Sequence, residues 1–243
     1  MKKNIISAIL VSSLIIIFAT SCTSESISEY KTVIDKTLDK YATEIEINWN
    51  NGNITLEKSK DEQIHLMQSA PDQVARKDWM TWEMTGDHLV INDQNDKLFG
   101  FTYGSDLTVS LPESTYDNWY AETKNGTINC SDLSFQNINI TTTNGDINID
   151  TACICLTAET TNGDLYVSCP SIPDTISLTG TNGNAILALP QDSGFTLLYD
   201  GNVNSDFPLL ESDTDTWSYL DGASQINVST TNGGLTLQEY SKE

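Results

Sequence analysis

Residues 138–167 read INITTTNGDINIDTACICLTAETTNGDLYV, and within them two copies of Thr-Thr-Asn-Gly-Asp stand 18 residues apart. The tetrapeptide Thr-Thr-Asn-Gly returns at 230–233, with variants in ETKNGT (122–127) and GTNGNA (180–185) and an outlying copy in NWNNGNITLE (48–57). Asn125, Asn144, Asn162 and Asn182 are spaced 19, 18 and 20 residues apart, and Asn232 follows 50 residues later. That last gap leaves room for one or two degenerate units around DGNVNSDFP (200–208). Self-similarity at such a period is the mark of a repeat architecture.

Apolar residues keep a constant phase around each asparagine. Three and five residues after it stand Ile128 and Cys130, Ile147 and Ile149, Leu165 and Val167, Ala185 and Leu187, Leu235 and Leu237. Six and four residues before it stand Trp119 and Ala121, Ile138 and Ile140, Leu156 and Ala158, Ile176 and Leu178, Ile226 and Val228. Strict alternation on both sides of an Asn-Gly corner predicts two half-buried strands per unit. Asn and Gly are the residues that best tolerate the backbone of such a turn.

An antiparallel meander, with Asn-Gly as hairpin turns, and a β-solenoid, with Asn-Gly as corners between stacked parallel rungs, both satisfy this phase. Reuse of the same polar residues favours the solenoid, where Asn125, Asn144, Asn162, Asn182 and Asn232 form a structural ladder of side-chain amides. Thr143, Thr161, Thr181 and Thr231 would form a second. The expected fold is therefore all-β: a single-chain, β-helix-like solenoid of about 19-residue repeats. The repeats occupy 112–240. Residues 42–111 carry other strand signals (EIEINW, GNITLEK, EQIHLM, DHLVIN, DLTVSLP) and read as an N-terminal β cap over the open end of the sheets. Trp79 and Trp82 in that cap are core residues or an exposed aromatic patch.

The N-terminus, MKKNIISAILVSSLIIIFATSC (1–22), has a positive start, an apolar run too short to span a bilayer, and small residues before a cysteine. It resembles the lipobox of bacterial lipoproteins, with Ala19 where leucine is usual. The resemblance implies a signal peptide over 1–21, cleavage before Cys22 and lipidation of Cys22. The expected location is extracytoplasmic, lipid-anchored to a bacterial membrane of the cell envelope. Residues 22–41 read as a tether followed by a short helix over Ser26–Tyr41, where Tyr30, Val33, Ile34, Leu38 and Tyr41 approximate a helical stripe.

The formal charge is −22, and its distribution is uneven: from Asn125 to Ser241 there are 14 acidic residues and no Lys or Arg. Such a field repels nucleic acid and favours cations, cationic peptides or another envelope protein as partners. Asp146 and Asp164, each two residues after a corner asparagine, are the candidate cation (Ca²⁺) ligands. Beyond Cys22, Cys130 occupies an inward apolar position, while Cys153, Cys155 and Cys169 are candidates for a disulfide. The Cys-x-Cys spacing has no histidine nearby, which argues against a thiolate metal site. No cofactor motif is present. From Asn125 to Ser241 the repeats hold neither His, Lys nor Arg, so nucleophilic triads and lyase chemistry lack their base, and the chain reads as no enzyme.

Several short motifs together are similar to a bacterial family of adhesin-like envelope proteins with β-strand repeats, a domain of unknown function. They are NGDIN (144–148), NGDLY (162–166), Leu111-Pro112 closing a strand, and Gly-Asn-Val and Asp-Phe-Pro within 201–208 ahead of a terminal Asn-Gly repeat. The resemblance covers roughly 42–240. It implies a β-helical, envelope-associated binding or structural module, in some members linked to sensing or resisting envelope stress, with no catalytic residues to carry over.

Overall fold

The computed structural model of the chain describes residues 29–95 and 103–241. Cys22 and the signal peptide expected over 1–21 lie outside them. Each turn of the chain lays one strand on each of two sheets. On the first sheet β2 (Glu44–Asn48), β8 (Thr115–Asn125), the second halves of β9 (Ile128–Asn144) and β10 (Ile147–Asn162), β12 (Thr175–Asn182) and β18 (Ser224–Asn232) pair in parallel. On the second sheet β3 (Ile54–Lys58), the first halves of β9 and β10, β11 (Leu165–Ser168), β13 (Ala185–Leu189) and β19 (Leu235–Glu239) do the same. A meander would alternate strand direction, so this parallel pairing makes the repeat solenoid-like.

Equivalent residues stack in rows. Ile54, Ile128, Ile147, Leu165, Ala185 and Leu235 form one buried row on the second sheet. Ile45, Trp119, Ile138, Leu156, Ile176 and Ile226 form its counterpart on the first. All belong to one continuous hydrophobic core. Burial of these rows drives the coil, because a single rung has nothing against which to bury its apolar side.

Antiparallel pairing is confined to the ends. At one end β1 (Lys31–Leu38), β4 (Ile64–Ala70) and β7 (Asp106–Leu111) pair in that order, and β5 (Thr81–Thr85) pairs with β6 (His88–Asn92). At the other, β14 (Phe195–Leu198), β17 (Thr216–Tyr219) and β16 (Leu210–Asp213) form an antiparallel set. The spatial order departs from chain order at both ends. β6 and β7 lie on the outer side of β2 and β3, and β8 returns to pair with β2. Likewise β14 and β15 (Val203–Ser205) lie beyond β18 and β19. The degenerate unit expected between Asn182 and Asn232 therefore sits outside the terminal repeat, which stacks directly on the 175–189 rung.

The short helix expected over Ser26–Tyr41 is corrected by strand β1, and no described residue forms an α-helix; a 3₁₀ turn spans Arg76–Asp78. Thr32, Val33, Ile34 and Thr37 are β-branched and suit an edge strand. A bulge between Thr32 and Ile34 shifts the register, so that the apolar spacing mimics a helical stripe. Trp82 packs partly buried against the core, and Trp79 lies half-buried with the Arg76 guanidinium 5.6 Å from its ring centroid.

Candidate binding face

The Asn-Gly corner is held by three parallel sets of contacts. In the first, each corner asparagine donates its side-chain amide to the carbonyl of the one before it. The contacts run Asn125 to Asn51 (2.6 Å), Asn144 to Asn125, Asn162 to Asn144 and Asn182 to Asn162 (2.8 Å each), and Asn232 to Asn182 (2.9 Å). The outlying copy at Asn51 thus joins the ladder across 74 residues of sequence. Glycine is required beside each asparagine because the rungs approach closely there: a Cβ on Gly163 would stand 2.0 Å from the Gly145 carbonyl oxygen, with φ +155°.

In the second set, threonine hydroxyls reach these glycine carbonyls. Thr142 donates to Gly126 (3.0 Å) and Thr160 to Gly145 (2.9 Å), and both threonines are buried. The threonine ladder expected at 143, 161, 181 and 231 is therefore displaced by one residue, because strand alternation turns the first threonine of each pair inward and the second to solvent.

The third set lies two residues after the asparagine and includes both candidate cation ligands. Asp146 Oδ1 accepts from the Asp164 amide (2.8 Å), and Asp164 Oδ1 from the Asn184 amide (2.7 Å). Asn184 Oδ1 accepts from Gly234 N (3.0 Å), and Asn53 Oδ1 from Thr127 N (2.9 Å). Asparagine does the same work as aspartate here, so the position needs a side-chain oxygen acceptor rather than a charge. No cluster of three or more His, Cys, Asp or Glu suited to a metal ion occurs among the described residues.

The surface that gathers varied chemistry is the outer face of the second sheet. Thr55, Asn129, Asn148 and Tyr166 are aligned across four neighbouring strands. Ser131, Asp150 and Ser168 form the next row, with Glu57 at its end. Together they line an open depression of about 320 Å³. Asn148 donates to Asn129 Oδ1 (2.9 Å), which orients both amides. The Tyr166 hydroxyl donates to Asp164 Oδ2 (2.9 Å), which pins the ring; that carboxylate pushes the phenol up from its ordinary range, with a smaller contribution from burial. Tyr166 remains 41% exposed, so much of its ring is open to a ligand. The face offers amide and hydroxyl donors, carboxylate acceptors and one aromatic surface. The position four residues after each corner asparagine marks the first row in the sequence, but attention to the corners passes over it.

The cysteines sit near the opposite corner. Cys130 and Cys153 are buried, Cys169 is fully enclosed, and Cys155 is half-exposed; all four are free thiols. Thr151 donates to the Leu133 carbonyl there, and Phe135 packs on Tyr116 and Trp119 at ring-centroid distances of 5.5 Å.

Residues 42–149 and 105–238 match the Toastrack family, DUF4097, and the chain belongs to it. No curated protein sequence matches the chain. Among solved structures it is similar to a candidate cell adhesion protein from Clostridium sporogenes, at 12% identity and a TM-score of 0.55, over 86% of this chain and 100% of that one. A candidate adhesin from Bacteroides fragilis shares 12% identity over 85% of this chain and 94% of its own, with a TM-score of 0.44. The first likeness shows a shared fold.

Proposed function

We propose that the protein is a non-catalytic, adhesin-like binding module of the cell envelope, and that the Tyr166 face is its ligand surface. The reading rests on the two aligned rows of amides, hydroxyls and carboxylates beside a pinned tyrosine, on a sheet whose backbone is locked by the corner ladders. An aromatic ring next to fixed amides suits a carbohydrate, whose C–H face stacks on the ring while its hydroxyls exchange hydrogen bonds with the polar rows. The absence of Lys and Arg from Asn125 to Ser241 disfavours anionic glycans. In the same reading Cys22 carries a lipid anchor that holds the module on the membrane, the unit is about 19 residues, and residues 42–111 cap it. Adhesion is the role named for the similar Clostridium sporogenes protein.

A glycan array followed by calorimetry tests this. Tyr166→Ala is expected to weaken a neutral-glycan hit by about tenfold. Tyr120→Ala, on the outer face of the first sheet, should leave it unchanged. Equal losses in both variants, or no hit among neutral glycans, would remove the assignment.

A second reading, a Ca²⁺ or cationic-peptide sensor, rests on Asp146 and Asp164 standing on adjacent rungs. It predicts that millimolar Ca²⁺ raises the unfolding midpoint and that Asp146→Asn, which keeps the backbone acceptor, abolishes the rise. An unchanged midpoint with Ca²⁺ and with EDTA counts against it.

A further inference from the structure

Three buried thiols meet at the corner opposite the Asn-Gly ladder, and strand geometry sorts them. Cys153 aligns with Phe135, whose ring is in the core, and Cys169 follows Ser168, the partner of Asp150. Both point inward, into the same hydrophobic cluster. The two thiols engage each other directly, and that contact, followed by burial, holds the Cys169 thiol above its ordinary range. Cys130 lies near Cys153, but burial is the main influence on it. Cys155 aligns with Asn137 and Thr175 on the first sheet and is half-exposed, away from the pair.

We propose that Cys153 and Cys169 form a disulfide that closes one complete turn of the coil. The ring so formed begins and ends at the second corner. It encloses the second half of β10, the Asn162-Gly163 corner and β11, and therefore carries Asp164 and Tyr166 within it. Its effect is to bind the spacing of two successive passes through the second corner, where no amide ladder does so. A small-molecule disulfide such as oxidised glutathione supplies the oxidant. One cysteine thiolate attacks it and releases a glutathione thiolate. The second cysteine, losing its proton, displaces the other glutathione from the mixed disulfide; two protein thiols lose two protons and two electrons, and one glutathione disulfide becomes two thiols. Because the sulfurs are enclosed in the finished fold, the bond forms during folding rather than after it.

The test is to refold the full chain with reduced and oxidised glutathione, alkylate it in denaturant, and map it by cleavage at Asp and Glu. Trypsin is unsuitable, since no Lys or Arg occurs from Asn125 to Ser241, whereas Glu159 and Asp164 separate the two cysteines. The expected result is one Cys153–Cys169 linked peptide pair with Cys130 and Cys155 alkylated. Dithiothreitol is then expected to lower the unfolding midpoint by roughly 5–10 °C. Cys155→Ser should keep both the link and that shift. A Cys130–Cys153 link, a link through Cys155, or alkylation of both Cys153 and Cys169 would overturn the proposal.

Discussion

At one corner of the coil the rungs turn on an Asn-Gly pair, with its stacked amides, glycine contacts and acceptor side chains repeated from Asn51 to Asn232. At the opposite corner the successive turns use Asp132-Leu133, Thr151-Ala152, Pro170 to Asp174 and Pro190 to Gly194, with differing lengths and no residue common to all four. Both corners close the same core. The first does so with backbones that approach to the limit set by glycine, so every copy needs the same side chains. The second has room for a bulge between Asp150 and Ala152 and for a positive φ at Asp132, and so it tolerates different lengths and residues. Sequence repetition therefore reports where adjacent rungs constrain each other, and variation reports where the fold is free to carry other chemistry.

The contrast is broken most severely by giving the first corner a side chain. Gly163→Ala drives a Cβ into the Gly145 carbonyl and is expected to cost about 3 kcal/mol or more, read from urea denaturation or from loss of soluble protein. Thr160→Val removes a buried donor and leaves the Gly145 carbonyl short of a partner, for an expected loss of about 1–2 kcal/mol. The neighbouring exposed Thr161→Val should change the midpoint by less than about 0.5 kcal/mol, and equal effects at the two threonines would contradict the inward assignment. Asn144→Ala removes one donated and one accepted ladder contact, with a longer bond to the Lys124 carbonyl, and should cost about 1 kcal/mol. Asn232, at the end of the ladder, makes one such contact, and its alanine variant should lose roughly half as much; an equal loss would show that the amides do not act as a ladder. At the opposite corner the exposed Ile154→Ser is expected to stay within about 0.5 kcal/mol of the parent.

Much of this arrangement was legible in the chain. The alternation around each asparagine marks the inward residues, and the identity of the corner residues favours stacking over hairpins. Other features were not legible, for reasons that can be named. Tyr30 to Tyr41 imitates a helix because a bulge shifts one strand's phase. The corner aspartates accept backbone amides of the next rung, contacts that lie beyond any local window. The Tyr166 face draws on four strands, from Thr55 to Ser168, and no contiguous motif contains it.

By itself, then, the sequence determined the strand phase, the inward residues and the corner at which rungs must coincide, since these follow from local period and from the steric demands of glycine. Tertiary structure alone decided the order of the rungs. The first and last repeats by sequence lie inside, covered by strands that fall between them and the central repeats in the chain. Pairing energy depends on which edges meet and not on how far apart they stand in the chain, so a parallel edge accepts any strand of matching phase. Loop closure adds only slowly to the cost as the connection lengthens.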